Sequence, residues 1–482
     1  MSYNDNEEGI MKHFKKGMIY TGIGVYSNFL VQIIVNMVLS RILTPREYGV
    51  VAIMQVFIIF FVMMVEAGMG PAIIQSKNLN KRKIGTLFNY SVIFAVVMSL
   101  LFGLLGNLLT AIYDNKIYLS LTWVQSISVF FSGLNVVPTA LLNKRKKFKA
   151  VNFSLLSGNI IAALVGITSA QLGAGVYSLI FSAISVSCIN LFWNMFFTKI
   201  KFTRSLDFGP MREILMFSSN QFAFNFINYF SRNADNILVG KFMGDAALAN
   251  YSKAYQLLMM PNTLFLGIIN PVLQPVLAEY QEDVVYIRKT YYKIIHFLAL
   301  IGVPISVFLH FSSKEIIFLM FGNQWHAAIL PFSILSLTVW CQLTISSAGA
   351  IVQARNQPSV VLRNGIISAV ILVSSILIGV SFRSLTTLSI FLSFGFLINF
   401  FVGFYRVVHI TLESKMTEFL KEFISPFCLG TILFICLLIV QDAQITSVLL
   451  AFVTKIFVTM ISVGGYILVT KEKNYIIEVI RR

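Results

Sequence analysis

Long apolar segments recur along the whole chain and are separated by short polar connections. Many are about 20 residues long, the length that an α-helix needs to cross the roughly 30 Å hydrocarbon core of a bilayer. The pattern predicts about fourteen membrane-spanning helices, and therefore an all-α integral membrane protein. The predicted ranges are 17–40, 47–67, 85–110, 117–141, 151–171, 174–198, 213–240, 245–274, 288–310, 326–352, 360–381, 385–409, 419–440 and 444–470.

The composition agrees with a membrane protein. Of the 482 residues, 57% are hydrophobic and 12% are charged, about half the charged fraction of roughly 25% found in soluble domains. The four cysteines (Cys188, Cys341, Cys428 and Cys436) lie within apolar segments, and the five histidines are scattered. Neither set has the spacing of metal ligands or of a catalytic cluster. We therefore expect no metal, no cofactor and no catalytic residues.

The net charge of +17 is concentrated in alternate connections, which hold 28 of the 37 Lys and Arg residues. These clusters lie within 12–16, 77–83, 144–149, 199–212, 288–293, 355–363, 406–421 and 471–482. Basic connections face the cytoplasm in membrane proteins, so both termini are expected inside and the number of helices is expected to be even. The charge thus indicates anionic lipid headgroups, and not nucleic acid, as its partner.

The chain contains an internal repeat at an offset of 200 residues. Residues 36–43 (NMVLSRIL) resemble residues 236–243 (NILVGKFM). Both segments end helices that are predicted to run outward, so the repeat is parallel, with its pseudo-two-fold axis along the membrane normal. We expect two six-helix lobes, 1–204 and 205–415, followed by an extra helix pair and a cytoplasmic tail over 416–482.

Two polar stripes interrupt the apolar helices. On the predicted seventh helix, spacings of 4, 3, 4 and 3 put five polar side chains on one face: Gln221, Asn225, Asn228, Arg232 and Asp235. Asn28, Gln32 and Asn36 share one face of the first helix. Buried amides and charges are costly in hydrocarbon, so they need either a neighbouring helix or a water-filled cavity. Hydrogen bonding between helices would explain any one amide, whereas the symmetric placement of two stripes favours a shared central cavity.

Charged side chains in or near these stripes are the candidate binding residues. Arg232 and Asp235 lie one turn apart and could neutralise each other. If Asp235 only orients Arg232, the planar guanidinium can bind an anion such as phosphate. Lys253, early on the eighth helix, could add positive charge to the site. Glu66 and Asp235 are candidates for a coupling ion, although an interfacial carboxylate beside a helix break is the favoured explanation of Glu66.

Two motifs resemble a known family. Residues 40–49 (SRILTPREYG) resemble the loop after the first helix of Wzx-type polysaccharide repeat-unit flippases. These transporters belong to the multidrug/oligosaccharidyl-lipid/polysaccharide exporter superfamily. Residues 232–244 (RNADNILVGKFMG), continuing to Tyr255, are similar to the second-half signature of that family. The branch most similar to this chain includes teichuronic-acid and colanic-acid type exporters.

The resemblance implies two lobes that rock about a central cavity and expose it to each side of the membrane in turn. It also implies a cargo, an oligosaccharide repeat unit on undecaprenyl pyrophosphate, moved across the bacterial cytoplasmic membrane for capsule or exopolysaccharide synthesis. The polysaccharide polymerase and the chain-length machinery are the implied protein partners. No covalent chemistry is implied, so the protein is not expected to be an enzyme.

Three alternatives remain at this stage. A small-molecule or multidrug exporter of the same superfamily should carry acidic residues deep in the bundle, and apart from Asp235 and Glu66 there are almost none. A membrane-embedded polymerase or glycosyltransferase should have a long outer connection, whereas those predicted at 114–116, 173–175 and 312–314 are short. A lipid scramblase would use the amides only for structure.

Overall fold

The computed structural model describes residues 26–66, 69–76, 80–200, 229, 233–443, 445–470 and 472, and within them it contains helices joined by short turns. The N-terminal helices are α1 (Tyr26–Ile42), α2 (Pro45–Glu66), α3 (Met69–Gln75), α4 (Lys81–Tyr113), α5 (Ile117–Lys144), α6 (Phe148–Gln171), α7 (Tyr177–Thr198) and α8 (233–243). The remaining helices are α9 (Asp245–Ala278), α10 (Val284–Phe311), α11 (Ser313–Met320), α12 (Ile329–Ser336), α13 (Val339–Ile345), α14 (Ala348–Ala354), α15 (Pro358–Ser381), α16 (Leu385–Arg406), α17 (Met416–Lys421), α18 (Ile424–Asp442) and α19 (Val448–Val469).

The predicted helical membrane protein is confirmed. Ten helices in the described part of the chain are long and apolar enough to cross a membrane, or eleven if one bent pair counts as a single span. Most predicted ends lie within about five residues of the observed ones: the segment predicted at 151–171, for example, is α6 (Phe148–Gln171). Large side chains such as Leu164, Val370 and Phe457 are exposed on these helices, as expected of surfaces that face lipid.

The chain divides into two compact units, Met1–Ala246 and Ala247–Arg482. In the N-terminal unit, α5 is the central helix and packs against α2, α3, α4 and α7. The α4–α5 pair approaches closely because α4 presents Gly103, where a Cβ atom would lie 2.5 Å from the Trp123 ring. Small residues allow this kind of close packing in membrane bundles. The predicted lobe boundaries at 204/205 and 415/416 stay a prediction.

In the C-terminal unit, α10 is the central helix and packs against α12, α13, α18 and α19. Its apolar core combines Tyr291 of α10 with Phe400, Phe404 and Phe419 from α16 and α17. Hydrophobic side chains on a central helix are buried on most sides, which fits the continuous apolar character of this segment. The unit thus holds the C-terminal helices α17 to α19 against its own core.

The single helix predicted at 326–352 is wrong. The structure divides this range into a 3₁₀ helix (Asn323–Ala328) and α12 to α14, with a bend of 54° between its two halves. Hydroxyl groups at the breaks donate hydrogen bonds to main-chain carbonyl oxygens. Thr338 Oγ1 donates to Leu335 O at 2.7 Å, and Ser347 Oγ donates to Thr344 O at 2.7 Å. Such local hydrogen bonds compete with the helical ladder and bend helices.

Candidate functional site

The predicted polar face of the first helix lies on α1. Asn28 Oδ1 accepts a hydrogen bond of 3.0 Å from Asn159 Nδ2 of α6, so this amide joins two helices. Asn36 Nδ2 donates to Gln32 O of its own helix at 3.1 Å. The Gln32 side chain is exposed, whereas Asn28 and Asn36 are half-buried. Gln32 is therefore the member of this face with the most room to meet another molecule.

The polar stripe predicted on the seventh helix is described at one position only. Gln221, Asn225, Asn228 and Arg232 lie outside the described residues, whereas Asp235 belongs to α8. The Asp235 side chain is buried, and its Oδ1 atom accepts a hydrogen bond of 2.8 Å from the main-chain amide of Asn236. A short hydrogen bond of this kind stabilises the ionised carboxylate. The predicted pairing of Arg232 with Asp235 stays a prediction.

The other two candidates occupy different environments. Lys253 is 4% exposed within α9, and its Nζ atom lies 4.6 Å from the ring centre of Phe321 and 5.3 Å from that of Trp325. Aromatic faces attract a cation at these distances, so these two rings of the C-terminal unit already stabilise part of the Lys253 charge. Glu66 is the last residue of α2 and its side chain is exposed. An exposed carboxylate at a helix end is compatible with either role predicted for it.

The first motif, residues 40–49, caps the N-terminus of α2. The spacing of Thr44 and Glu47 is the sequence pattern of such a cap. Glu47 Oε2 accepts hydrogen bonds from Thr44 N at 2.7 Å and from Thr44 Oγ1 at 2.8 Å, while Glu47 N donates to Thr44 Oγ1 at 3.3 Å. This is a capping box, with Pro45 at the first helical position where its missing N–H is tolerated. Gly49 then lies against the main chain at Asp245, where a Cβ atom would be 1.8 Å from the carbonyl oxygen.

A seam of polar side chains joins α5 and α7, and the sequence reasoning missed it. Asn194 Nδ2 donates to Asn135 Oδ1 at 2.9 Å and to Thr139 Oγ1 at 3.1 Å. Further along the same pair of helices, Ser187 Oγ lies 2.9 Å from Ser128 Oγ and 3.1 Å from Ser132 Oγ. The spacings 128, 132, 135 and 139 on α5 carried the signal, because they put four polar residues on one helix face.

Two clusters of charged side chains in the C-terminal unit were also missed. Lys455 of α19 donates to Glu315 Oε1 at 2.7 Å and to Phe311 O at 2.6 Å. Near the middle of α10, His296 Nε2 lies 3.0 Å from Glu472 Oε2 and Nδ1 lies 3.4 Å from Glu422 Oε2. These partners are more than a hundred residues apart in the chain, so no spacing rule could have paired them. Within the described ranges, no three His, Cys, Asp or Glu side chains are arranged to hold a metal ion.

These features define a class: a multi-pass helical membrane protein that keeps amides and ion pairs inside its bundle. The family follows from a sequence profile described as "polysaccharide biosynthesis protein", which matches residues 38–330. The chain belongs to this family, and the resemblance stated from its two motifs is confirmed.

Relatives match along most of the chain. It is 23% identical over 445 residues to an uncharacterized membrane protein in the cps region of Klebsiella pneumoniae, with 89% of this chain and 88% of that protein covered. It is 21% identical to the teichuronic acid biosynthesis protein TuaB of Bacillus subtilis (strain 168), covering 88% of this chain and 89% of TuaB. It is 23% identical to the lipopolysaccharide biosynthesis protein WzxC of Escherichia coli (strain K12), covering 82% of this chain and 80% of WzxC.

Solved structures of transporters share the fold. Lipid II flippase MurJ in an inward closed conformation is similar with a TM-score of 0.74 and 14% identity, covering 94% of this chain and 99% of that chain. A multidrug resistance MATE family transporter in an inward-facing conformation is similar with a TM-score of 0.58 and 12% identity, covering 81% of this chain and 96% of that chain. The protein therefore has a MurJ- and MATE-like fold.

Proposed function

We propose that the protein is a flippase that moves an undecaprenyl-pyrophosphate-linked oligosaccharide repeat unit across the bacterial cytoplasmic membrane by alternating access. The observation that carries this proposal is the family match over residues 38–330 on a chain whose fold resembles that of a lipid II flippase. The repeat unit would serve capsule, exopolysaccharide or another surface polymer. The polysaccharide polymerase and the chain-length machinery are its proposed protein partners.

Fourteen spans with both termini in the cytoplasm complete the proposed topology. With the bent pair counted as one span, the eleven spans of the described residues are joined in this proposal by α1, by a seventh helix ending with α8, and by α9. The basic turn at Lys144–Lys149 supports a cytoplasmic end for α5 and α6, since basic connections stay inside. The short turns at 114–116 and 173–175 support outer positions.

The translocation path is proposed to use the two polar stripes. Arg232 would bind the pyrophosphate through its guanidinium fork, with Asp235 orienting it. Gln221, Asn225, Asn228, Asn28, Gln32 and Asn36 would hydrogen-bond the headgroup. Lys253 could reach the anion only if the rings of Phe321 and Trp325 moved from its ammonium group. Glu66 and Asp235 stay the proposed groups for a coupling proton or cation.

Chromosomal deletion tests the function directly. Cells lacking the protein should accumulate lipid-linked repeat units in the inner leaflet and should lose the surface polymer, because the unit is built inside and polymerised outside. The two measurements are the amount of labelled lipid-linked oligosaccharide and the amount of surface polymer. Normal polymer on such cells would exclude the proposal.

The multidrug exporter remains a second candidate because the MATE fold is also matched. Acidic residues are what a cation exporter would need deep in its bundle. Among the described residues, Glu315 is paired with Lys455. The candidates for this role are therefore the same two residues as in the sequence analysis, Asp235 and Glu66. Cells lacking the protein should then be hypersensitive to cationic drugs while keeping their polymer. A membrane polymerase is disfavoured by the short turns at 114–116 and 173–175, and we propose a transporter without enzymatic activity.

A further inference from the structure

The segment just before α9 is fastened to the turn between α4 and α5. Tyr113 OH donates to Ile237 O at 3.4 Å, and Lys241 Nζ donates to Ile112 O. A lysine on the last carbonyls of α4 also meets the negative end of that helix. Residues 237–241 and this turn lie in the same compact unit, Met1–Ala246.

Asp245, the first residue of α9, makes the most specific contact with this turn. Its Oδ1 atom accepts a hydrogen bond of 3.1 Å from Tyr118 OH, and its Oδ2 atom lies 3.4 Å from Asn115 Nδ2. Tyr118 is 0% exposed, so its hydroxyl group is fixed in place. The carboxylate also sits in the first turn of α9, where the helix dipole favours a negative charge. One donor from the turn and one from the start of α5 therefore hold one carboxylate.

The backbone at this point is shaped for a close but separable contact. Gly244 separates α8 from α9 and has φ of 85°, a left-handed conformation that glycine adopts without strain. On the other side of Asp245, Gly49 leaves no room for a side chain. The contacts are hydrogen bonds at helix ends, and water can replace such bonds when the two sides separate. A small residue at a helix end, next to a set of replaceable hydrogen bonds, fits a hinged contact.

We propose that Asp245, Asn115 and Tyr118 form an outer latch, engaged in this structure, that must release before the cargo can leave on the outer side. This inference rests on the proposed flippase function and on the outer position of the turn at 114–116. It explains why the motif ending in Gly49 and the motif ending in Gly244 both lie beside Asp245. Each motif supplies the backbone that the contact needs.

Cross-linking tests the latch. In a chain whose four cysteines are replaced, Asn115→Cys and Asp245→Cys are combined and treated with a short bis-methanethiosulfonate, which joins two thiols through reducible disulfide bonds. The cross-linked cells should stop exporting new polymer, and a reductant should restore export. Ser120→Cys with Tyr177→Cys is the matched control, because Tyr177 OH donates to Ser120 Oγ at 2.9 Å and joins α5 to α7 without involving the start of α9. Cross-linking this control pair should leave export unchanged.

Two outcomes would overturn the latch. One is export at the normal rate from protein that is fully cross-linked between positions 115 and 245. The other is the absence of a cross-link although each single cysteine reacts with the reagent. Both are measured on the protein band itself, so they differ from a failure of the proposed function, in which deletion of the chain leaves the polymer unchanged.

A second measurement does not depend on export activity. Val239 of α8 is 0% exposed, so a Val239→Cys thiol should react with a water-soluble maleimide only while the latch is open. Tyr118→Phe and Asp245→Asn should each raise this reaction rate roughly tenfold or more, since hydrogen bonds to a charged group are strong enough for such a shift. Tyr177→Phe, which removes a comparable hydroxyl elsewhere, should leave the rate unchanged. Equal rates in all variants would contradict the proposal.

Discussion

Lys455 and Glu315 form an ion pair inside the C-terminal unit, where both side chains are less than a tenth exposed. Separating such a pair leaves one charge buried without compensation, which typically costs about 3–5 kcal/mol. The second carboxylate oxygen of Glu315, Oε2, is also buried and has no hydrogen-bond partner among the described residues. Lys455 is therefore the group that compensates the charge of this carboxylate.

We expect Lys455→Met to lower the unfolding temperature of the purified protein markedly, because Glu315 would keep its charge without a counter-ion. Glu315→Gln combined with Lys455→Met should recover much of the loss, since no buried charge remains. Lys421→Met, at an exposed lysine of α17, is the control and should change little. Thermal unfolding in detergent measures all three. If Lys455→Met alone were as stable as the parent, the ion pair would contribute nothing to stability.

Gly49 is the residue with the least space for change. A Cβ atom at this position would overlap the Asp245 carbonyl oxygen, and that oxygen belongs to the main chain and cannot rotate away. We expect Gly49→Ala to cost roughly 1–3 kcal/mol through overpacking and to reduce export. Gly464→Ala in α19, where no atom lies within 4 Å, is the matched control. Equal unfolding temperatures for the two variants would disprove this account of the motif.

At the scale of elements, the C-terminal helix pair is fastened to α10 at both of its ends. Lys455 binds Phe311 O and Glu315 at one end, and Glu472 and Glu422 bind His296 at the other. Between these points α18 packs closely on α10, as shown by Gly430, where a Cβ atom would lie 2.5 Å from Val303. The pair is therefore an integral part of its unit.

We predict that a chain ending after Lys415 will not accumulate in the membrane, because it would leave Glu315 unpaired and uncover the packed face of α10. Membrane abundance and protease resistance are the measurements, with the full-length chain as the reference. A truncated protein that is as abundant and as resistant as the full chain would mean that α17 to α19 are dispensable for folding.

The α5–α7 seam is a second element-scale contact with a measurable strength. Asn194→Leu should destabilise the protein by about 1–2 kcal/mol, in line with hydrogen bonds between membrane helices, because Asn135 and Thr139 lose their donor. Phe196→Leu, at a neighbouring exposed position of α7, should be nearly neutral. Chemical or thermal unfolding distinguishes the two. An Asn194→Leu variant at least as stable as the parent would show that the seam is not a stabilising contact.

Helix positions could be predicted from the sequence because hydropathy and basic connections report directly on the membrane. The division of 326–352 could not, because the hydroxyl groups of Thr338 and Ser347 act through local hydrogen bonds that hydropathy does not record. The spacing of Asn28, Gln32 and Asn36 predicts a shared helix face, but the partner of Asn28 on α6 required the fold.

At the scale of the whole molecule, the two motifs at residues 40–49 and 232–244 were interpreted from resemblance, and the structure adds a physical reason for them. Thr44, Glu47 and Gly49 shape the start of α2, and Gly244 shapes the start of α9. The contacts of Asp245 were not predicted, because their donors, Asn115 and Tyr118, lie more than a hundred residues away in the chain. The candidate binding residue Arg232, one turn before Asp235, stays a prediction.

The measurement that tests the central claim most directly is flipping by the purified protein. Vesicles containing the protein and a labelled undecaprenyl-pyrophosphate-linked oligosaccharide should move the label between leaflets faster than protein-free vesicles. Arg232→Ala should slow this movement roughly tenfold or more, as expected from the loss of a charge-assisted hydrogen bond. Arg383→Ala, at an exposed arginine between α15 and α16, should flip at the parent rate. Label that stays in its original leaflet, with folded protein present, would contradict the account.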